Sequence, residues 1–131
     1  MERIPVVNQT KHRASVLIAG RPSRIRDSLR FLLKTMPGIE IVGNADDSAL
    51  ALRMVAEHRP ALFLLDTNLP GEGAASVLQQ IRANGSQSRC LVLADDAQQQ
   101  REARNAGADV ALLKGCSAAE LFDSVESLLA E

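Results

Sequence analysis

Short apolar runs alternate along this chain with stretches in which apolar residues return every three or four positions. Residues 15–19 form the first run. Ile25, Leu29, Leu32 and Leu33 then recur at helical spacing, and Met36-Pro37-Gly38 stops that helix. A second strand is predicted at 39–42. Asp46 or Asp47 caps the next helix, which carries Ala49, Leu52, Val55 and Ala56 on one face and ends at His58-Arg59-Pro60. The run 61–65 leads into Asp66 and reads as a buried strand. Val77, Leu78 and Ile81 mark a third helix, which breaks near Asn84-Gly85. Strand 90–93, a helix over 98–106, Gly107 and strand 110–113 follow. Ser117 and Glu120 are spaced as a capping box, and Leu121, Val125, Leu128 and Leu129 give the last helix its apolar face. This strand–helix alternation predicts an α/β fold, a parallel sheet with right-handed crossovers and helices on both faces. One domain is expected over residues 14–131, behind a polar leader at 1–13.

The helix over 98–106 breaks the pattern. Gln98, Gln99, Gln100, Arg101, Glu102, Arg104 and Asn105 leave only Ala103 and Ala106 to bury. Packing supplies most helix stability, so this helix is expected to be weakly held, or to pack through a partner.

Composition narrows the function. The chain has 131 residues, 46% of them hydrophobic, with no Trp or Tyr and three Phe, so Leu, Val, Ile and Ala must build the core. A net charge of −1 lacks the basic footprint of a nucleic-acid binder. No apolar stretch approaches the roughly 20 residues of a membrane span, and residues 1–13 lack the apolar middle of a signal peptide; a cytoplasmic location is expected. The strand reading separates Cys90 from Cys116 by well over ~10 Å, too far for a disulfide, so both are expected as free thiols. His12 and His58 stand alone, no Cys/His spacing suggests zinc, and no P-loop or GxGxxG pattern occurs. Ser15, Ser23 and Ser117 have no visible base. No catalytic set is complete, so the chain reads as a non-enzyme. Arg21, Arg24, Arg26 and Arg30 read as a solvated basic face, or as a docking surface for an acidic partner.

Asp66 carries the main functional signal. It follows a buried strand and opens the turn Thr67-Asn68-Leu69-Pro70-Gly71, the end of an open α/β sheet where ligand sites lie. Three segments, 15–19, 64–71 and 107–114, resemble response-regulator receiver domains, most closely those that precede a LuxR/NarL-type DNA-binding domain. The resemblance spans residues 14–131. It implies a five-stranded doubly wound sheet of order 2-1-3-4-5 and a place in two-component signal transduction. It also implies that Asp66 matches the aspartate phosphorylated by a histidine kinase. Lys114 matches the lysine that neutralises the phosphoryl group, and Asn68 the position whose carbonyl helps to hold Mg²⁺. A homodimer, transcription control and a C-terminal DNA-binding domain in a longer chain are further implications.

Four positions depart from the family. Gly20-Arg21 stands where receivers carry the acidic pair that binds Mg²⁺. Ala94 replaces the Thr or Ser that ends the fourth strand, and Ala111 replaces the Tyr or Phe of the fifth. The connection from Ala94 to Ala106 is about two residues shorter than usual. Mg²⁺ is a hard ion that needs oxygen ligands, so its affinity should fall steeply. Asp95 and Asp96 follow the fourth strand and could approach the site to rebuild a metal site, but they do not occupy the family's ligand position. Arg21 is expected to supply positive charge at the metal position, making an Arg21–Asp66–Lys114 cluster; otherwise it is solvated. The alanines have no hydroxyl or ring to move, so the expectation is an atypical pseudo-receiver that works without Mg²⁺-dependent phosphorylation. The alternatives are an ordinary receiver phosphorylated at Asp66, and a sensor binding a small molecule in the vacated space.

Overall fold

The structure, a computed structural model, describes residues 13–130. Its strands are β1 (Ala14–Ala19), β2 (Ile39–Ala45), β3 (Leu62–Asp66), β4 (Arg89–Ala94) and β5 (Val110–Leu113). They alternate with α1 (Arg24–Lys34), α2 (Ser48–His58), α3 (Ala74–Ala83), α4 (Ala97–Asn105) and α5 (Ala118–Leu129). All strand pairs are parallel, in the order β2-β1-β3-β4-β5. The expected fold is therefore present. The expected leader falls almost entirely on residues outside those described.

The period of two along each strand divides the core into two layers. Val16 and Ile18 of β1, with Leu62 and Leu64 of β3, meet Leu29 and Leu33 of α1 and Leu121, Val125 and Leu128 of α5. The intervening residues Leu17, Ala19, Phe63 and Leu65 face Val55 of α2, Val77, Leu78 and Ile81 of α3, and Ala103 of α4. Every residue of β3 is buried. That explains its continuous apolar run and fixes it as the central strand.

Caps set the helix starts. Ser23, Asp47 and Asp96 each accept a backbone N–H from the first turn that follows. Ser117 and Glu120 form the expected capping box. β2 runs three residues further than its apolar run suggested, through Gly43, Asn44 and Ala45. A Cβ on Gly43 would lie 2.3 Å from Met54 Cε, so a larger residue there would have to displace the flexible end of that α2 side chain. Cys90 and Cys116 are both free. Burial pushes the Cys90 thiol up to about 11.

Candidate functional site

Three carboxyl ends of the sheet converge on Asp66. It is the last residue of β3, and its side chain is 10% exposed. The turn after it holds the carboxylate in place: Asn68 N donates to Asp66 Oδ1 at 2.8 Å, and Leu69 N to Asp66 O at 3.1 Å. Lys114 follows β5, with its backbone N–H on Ala94 O at 2.9 Å. That anchor directs its side chain over the sheet edge, where Nζ lies 2.7 Å from Asp66 Oδ1.

Nζ also lies 2.7 Å from Asp95 Oδ1. With its amide oriented to match both neighbours, Asn68 accepts from Lys114 Nζ at 2.8 Å and donates to Asp95 Oδ2 at 3.3 Å. One ammonium thus joins two carboxylates and an amide. Burial opposes the Lys114 charge most strongly. The hydrogen bonds and charges of Asp66 and Asp95 together outweigh it and hold the ammonium above its ordinary pKa. Asp95 is held below the ordinary carboxylate range, first by the Lys114 hydrogen bond.

Gly20 is the floor of the site. Its N–H donates to Ala45 O at 3.0 Å, and a Cβ there would stand 3.2 Å from Asp66 Cβ and 3.7 Å from Oδ2. Arg21 does not join the cluster. It is exposed and makes no ion pair or hydrogen bond with Asp66. Asp66 Oδ1 already has an ammonium and an amide N–H, and an exposed guanidinium that stays in water keeps its hydration and rotamer freedom. Of the basic stretch, Arg26 is the residue that engages. Its Nη1 donates to Gly20 O at 3.2 Å and pairs with Asp46 Oδ1, tying the loop after β1 to the loop after β2.

Gln99 plays a similar part on the other side. Its Oε1 accepts from Thr67 Oγ1 at 2.9 Å and from Asp95 N at 2.7 Å, joining the loops after β3 and β4 to the first turn of α4. Gln100 Nε2 and Arg104 Nη2 both donate to Ala111 O, at 3.0 and 3.3 Å. The polar face of α4 is therefore bound to the outer edge of β5, not simply solvated. Ala94 and Ala111 are both buried. Sequence reasoning missed Arg26, Gln99 and the role of Asp95. Only Asp95 left a signal, since it directly follows β4, beside the strand that ends at Lys114.

Comparison with known proteins is consistent with this geometry. Residues 16–126 match the family described as the response regulator receiver domain. The chain belongs to that family. It is 28% identical over 120 residues to the probable transcriptional regulatory protein NarL of Mycobacterium tuberculosis (strain CDC 1551 / Oshkosh), covering 90% of this chain and 56% of that protein. It is 29% identical over 114 residues to the transcriptional regulatory protein LiaR of Bacillus subtilis (strain 168), covering 86% and 54%. The chain thus spans about half the length of these curated relatives. The solved receiver domain of the putative response regulator NarL from Mycobacterium tuberculosis superimposes with a TM-score of 0.84 at 26% identity, covering 91% of this chain and 98% of that one. Among the described residues, no helix is long and apolar enough to cross a membrane.

Receivers of this family use Mg²⁺, and the donor set can be tested for it. Gly20 and Arg21 offer no carboxylate. Asp66 and Asp95 are both engaged by Lys114, and among the described residues no group of three Asp, Glu, His or Cys side chains could hold an ion. A hard dication needs several oxygens in near-octahedral array. These residues do not provide them.

Proposed function

We propose that this receiver is an atypical one, a protein-interaction module for transcription control that works without Mg²⁺-dependent phosphorylation. The observation that carries the reading is Lys114 Nζ seated 2.7 Å from both Asp66 and Asp95. The ammonium that would neutralise an incoming phosphoryl group already joins two acids, and no carboxylate from the loop after β1 competes for it. Phosphoryl transfer to a carboxylate depends on positioning and charge neutralisation, and here the ammonium is already engaged by two carboxylates. Ala94 and Ala111 support the same reading, because a switch needs groups whose contacts differ between its two states.

In this reading Asp66 and Lys114 are structural descendants of a phosphoryl site, and Asn68 orients them. Gly20 and Arg21 are lost metal positions. Residues 14–131 act as one cytoplasmic domain in a longer regulator whose partners are proteins, a DNA-binding domain of the same chain among them. The small-molecule reading gains no support, because Gln100 and Arg104 reach over to the β5 edge at Ala111.

The test is incubation with acetyl phosphate and Mg²⁺, read by intact mass. No adduct of about 80 Da, the mass of one phosphoryl group, should form. An adduct that disappears in Asp66→Asn would restore the ordinary receiver with a histidine kinase as partner.

A further inference from the structure

The cluster at Asp66 lies at the carboxyl end of the sheet and leaves the amino end unexplained. There a cavity of about 600 Å³ opens where α2 and α3 end, a size within the range of small-molecule sites. Val55, Pro60 and Ile81 are its buried apolar wall, and Leu52 stands half-buried with them. Asn84, Ser86 and Gln87, from the connection between α3 and β4, supply polar groups. The two sides are tied together. Ser88 Oγ donates to Pro60 O, and Arg82 Nη1 donates to Ser88 O at 2.8 Å.

Arg59 is the feature that points to a ligand. It ends α2 at φ 45°, ψ 59°, in the left-handed region, and is the one non-glycine residue with positive φ among those described. Glycine enters that region freely and a residue with a side chain does not. α3 ends at the same cavity in the usual way, with Gly85 at φ 83°. Pro60 adds to the cost at position 59, because a proline drives the residue before it towards extended backbone. The backbone thus gives no reason for arginine here. The side chain does line the cavity, where no other lining residue is charged. Its guanidinium forms no ion pair or hydrogen bond with any other described residue. Backbone strain kept at one residue, with an unpaired charge at a cavity, is a mark of a binding site.

An inorganic anion would satisfy the guanidinium and leave the apolar wall wet. An uncharged hydrocarbon would cover the wall and leave the guanidinium without a partner. We propose that this cavity binds a small amphipathic carboxylate. Its carboxylate takes the two-pronged contact that a guanidinium offers, on Arg59, and its hydrocarbon body lies against Val55, Pro60 and Ile81. The site is at the end of the sheet away from Asp66, so the inference stands whether or not Asp66 is phosphorylated.

Titration of the full 131-residue chain with octanoate, followed by the NMR shifts of its backbone amides, tests it. The shifts should saturate at about 1 mM or below and centre on residues 59–61 and 85–88. Octanol, which lacks the charge, and acetate, which lacks the chain, should each bind at least about tenfold more weakly. Arg59→Gly removes the guanidinium and suits the left-handed backbone. It should weaken octanoate binding at least about tenfold and unfold at no lower a temperature than the parent. Ala56→Trp, which adds bulk at the cavity with Arg59 intact, should weaken binding too. Phe31→Ser, which changes an apolar side chain 69% exposed on α1, should leave it unchanged. Shifts that do not saturate by about 10 mM, or that centre on Phe31, overturn the proposal. So does octanol that binds as tightly as octanoate, or an Arg59→Gly or Ala56→Trp variant that binds octanoate as the parent does.

Discussion

Lys114 concentrates the energetics of the site at the scale of single residues. It is the one cation between two acids, and its side chain and that of Asp66 are nearly inaccessible to water. Removing one member of such a pair leaves the other buried without compensation. Lys114→Met should therefore lower stability by about 3 kcal/mol, read by urea denaturation. Adding Asp66→Leu should recover most of that loss, since an apolar pair avoids the desolvation of both charges. A double variant as unstable as the single one would show that the cluster does more than balance charge. The pH dependence follows from the same contacts. Asp95 is depressed below 3.8, so its contribution is present above that value and is lost as pH falls through the lower folded value. Lys114 is raised above 10.5, so its contribution is complete below that pH and fades as pH rises through the higher folded value. Stability from the cluster should be flat between those limits. In Lys114→Met the carboxyl resonance of Asp95 should titrate at a higher pH than in the parent, and an unmoved midpoint would mean that the pair does not exist in solution. Asp66 and Lys114 were legible from strand ends and family spacing. Arg21 was misread, because sequence places a residue in a loop but does not say where a long, solvated side chain points.

At the scale of elements, periodicity and caps located every strand and helix, because β3 and α5 have unmistakable apolar patterns. α4 was the exception. Its composition offered almost nothing to bury, and the structure attaches it by polar groups instead: Asp96 caps it, Gln99 ties it to Thr67 and Asp95, and Gln100 and Arg104 bind the Ala111 carbonyl. Side-chain hydrogen bonds from one element to another leave no apolar period in a sequence, so this attachment was not legible. It gives a direct prediction. Gln99→Ala removes two bonds and leaves the Asp95 N–H without its partner, which should cost about 1–2 kcal/mol. The Asp95 amide should then exchange faster with solvent than in the parent, while the amides of β3 keep their protection. Unchanged exchange at Asp95 would mean that Gln99 does not hold the loop after β4 in solution.

For the whole molecule, the fold and the departures from the receiver resemblance separate cleanly. The five-stranded frame, its order and its two-layered core match a solved receiver domain. The departures are single residues: Gly20 and Arg21 just past β1, Ala94 at the end of β4, and Ala111 within β5. If, as proposed, the missing acidic pair leaves this chain unresponsive to Mg²⁺, restoring it on this frame should create a response to the metal. Gly20→Asp combined with Arg21→Asp adds two carboxylates beside Asp66, and repulsion among three acids favours an ion or Lys114 as the compensating charge. The new side chain at position 20 meets Asp66 Cβ at 3.2 Å, so that neighbour must yield by a few tenths of an ångström. Some loss of stability in metal-free buffer is therefore expected. Added Mg²⁺ should reverse it. A ligand at ten times its dissociation constant stabilises by about 1.4 kcal/mol, a rise of about 5 °C in unfolding temperature for a domain of this size. The parent should show no such rise, and Asp66→Asn in the restored background should reduce it. A restored variant as indifferent to Mg²⁺ as the parent would place the cause elsewhere, in the Lys114–Asp95 pair that keeps the ammonium across the site.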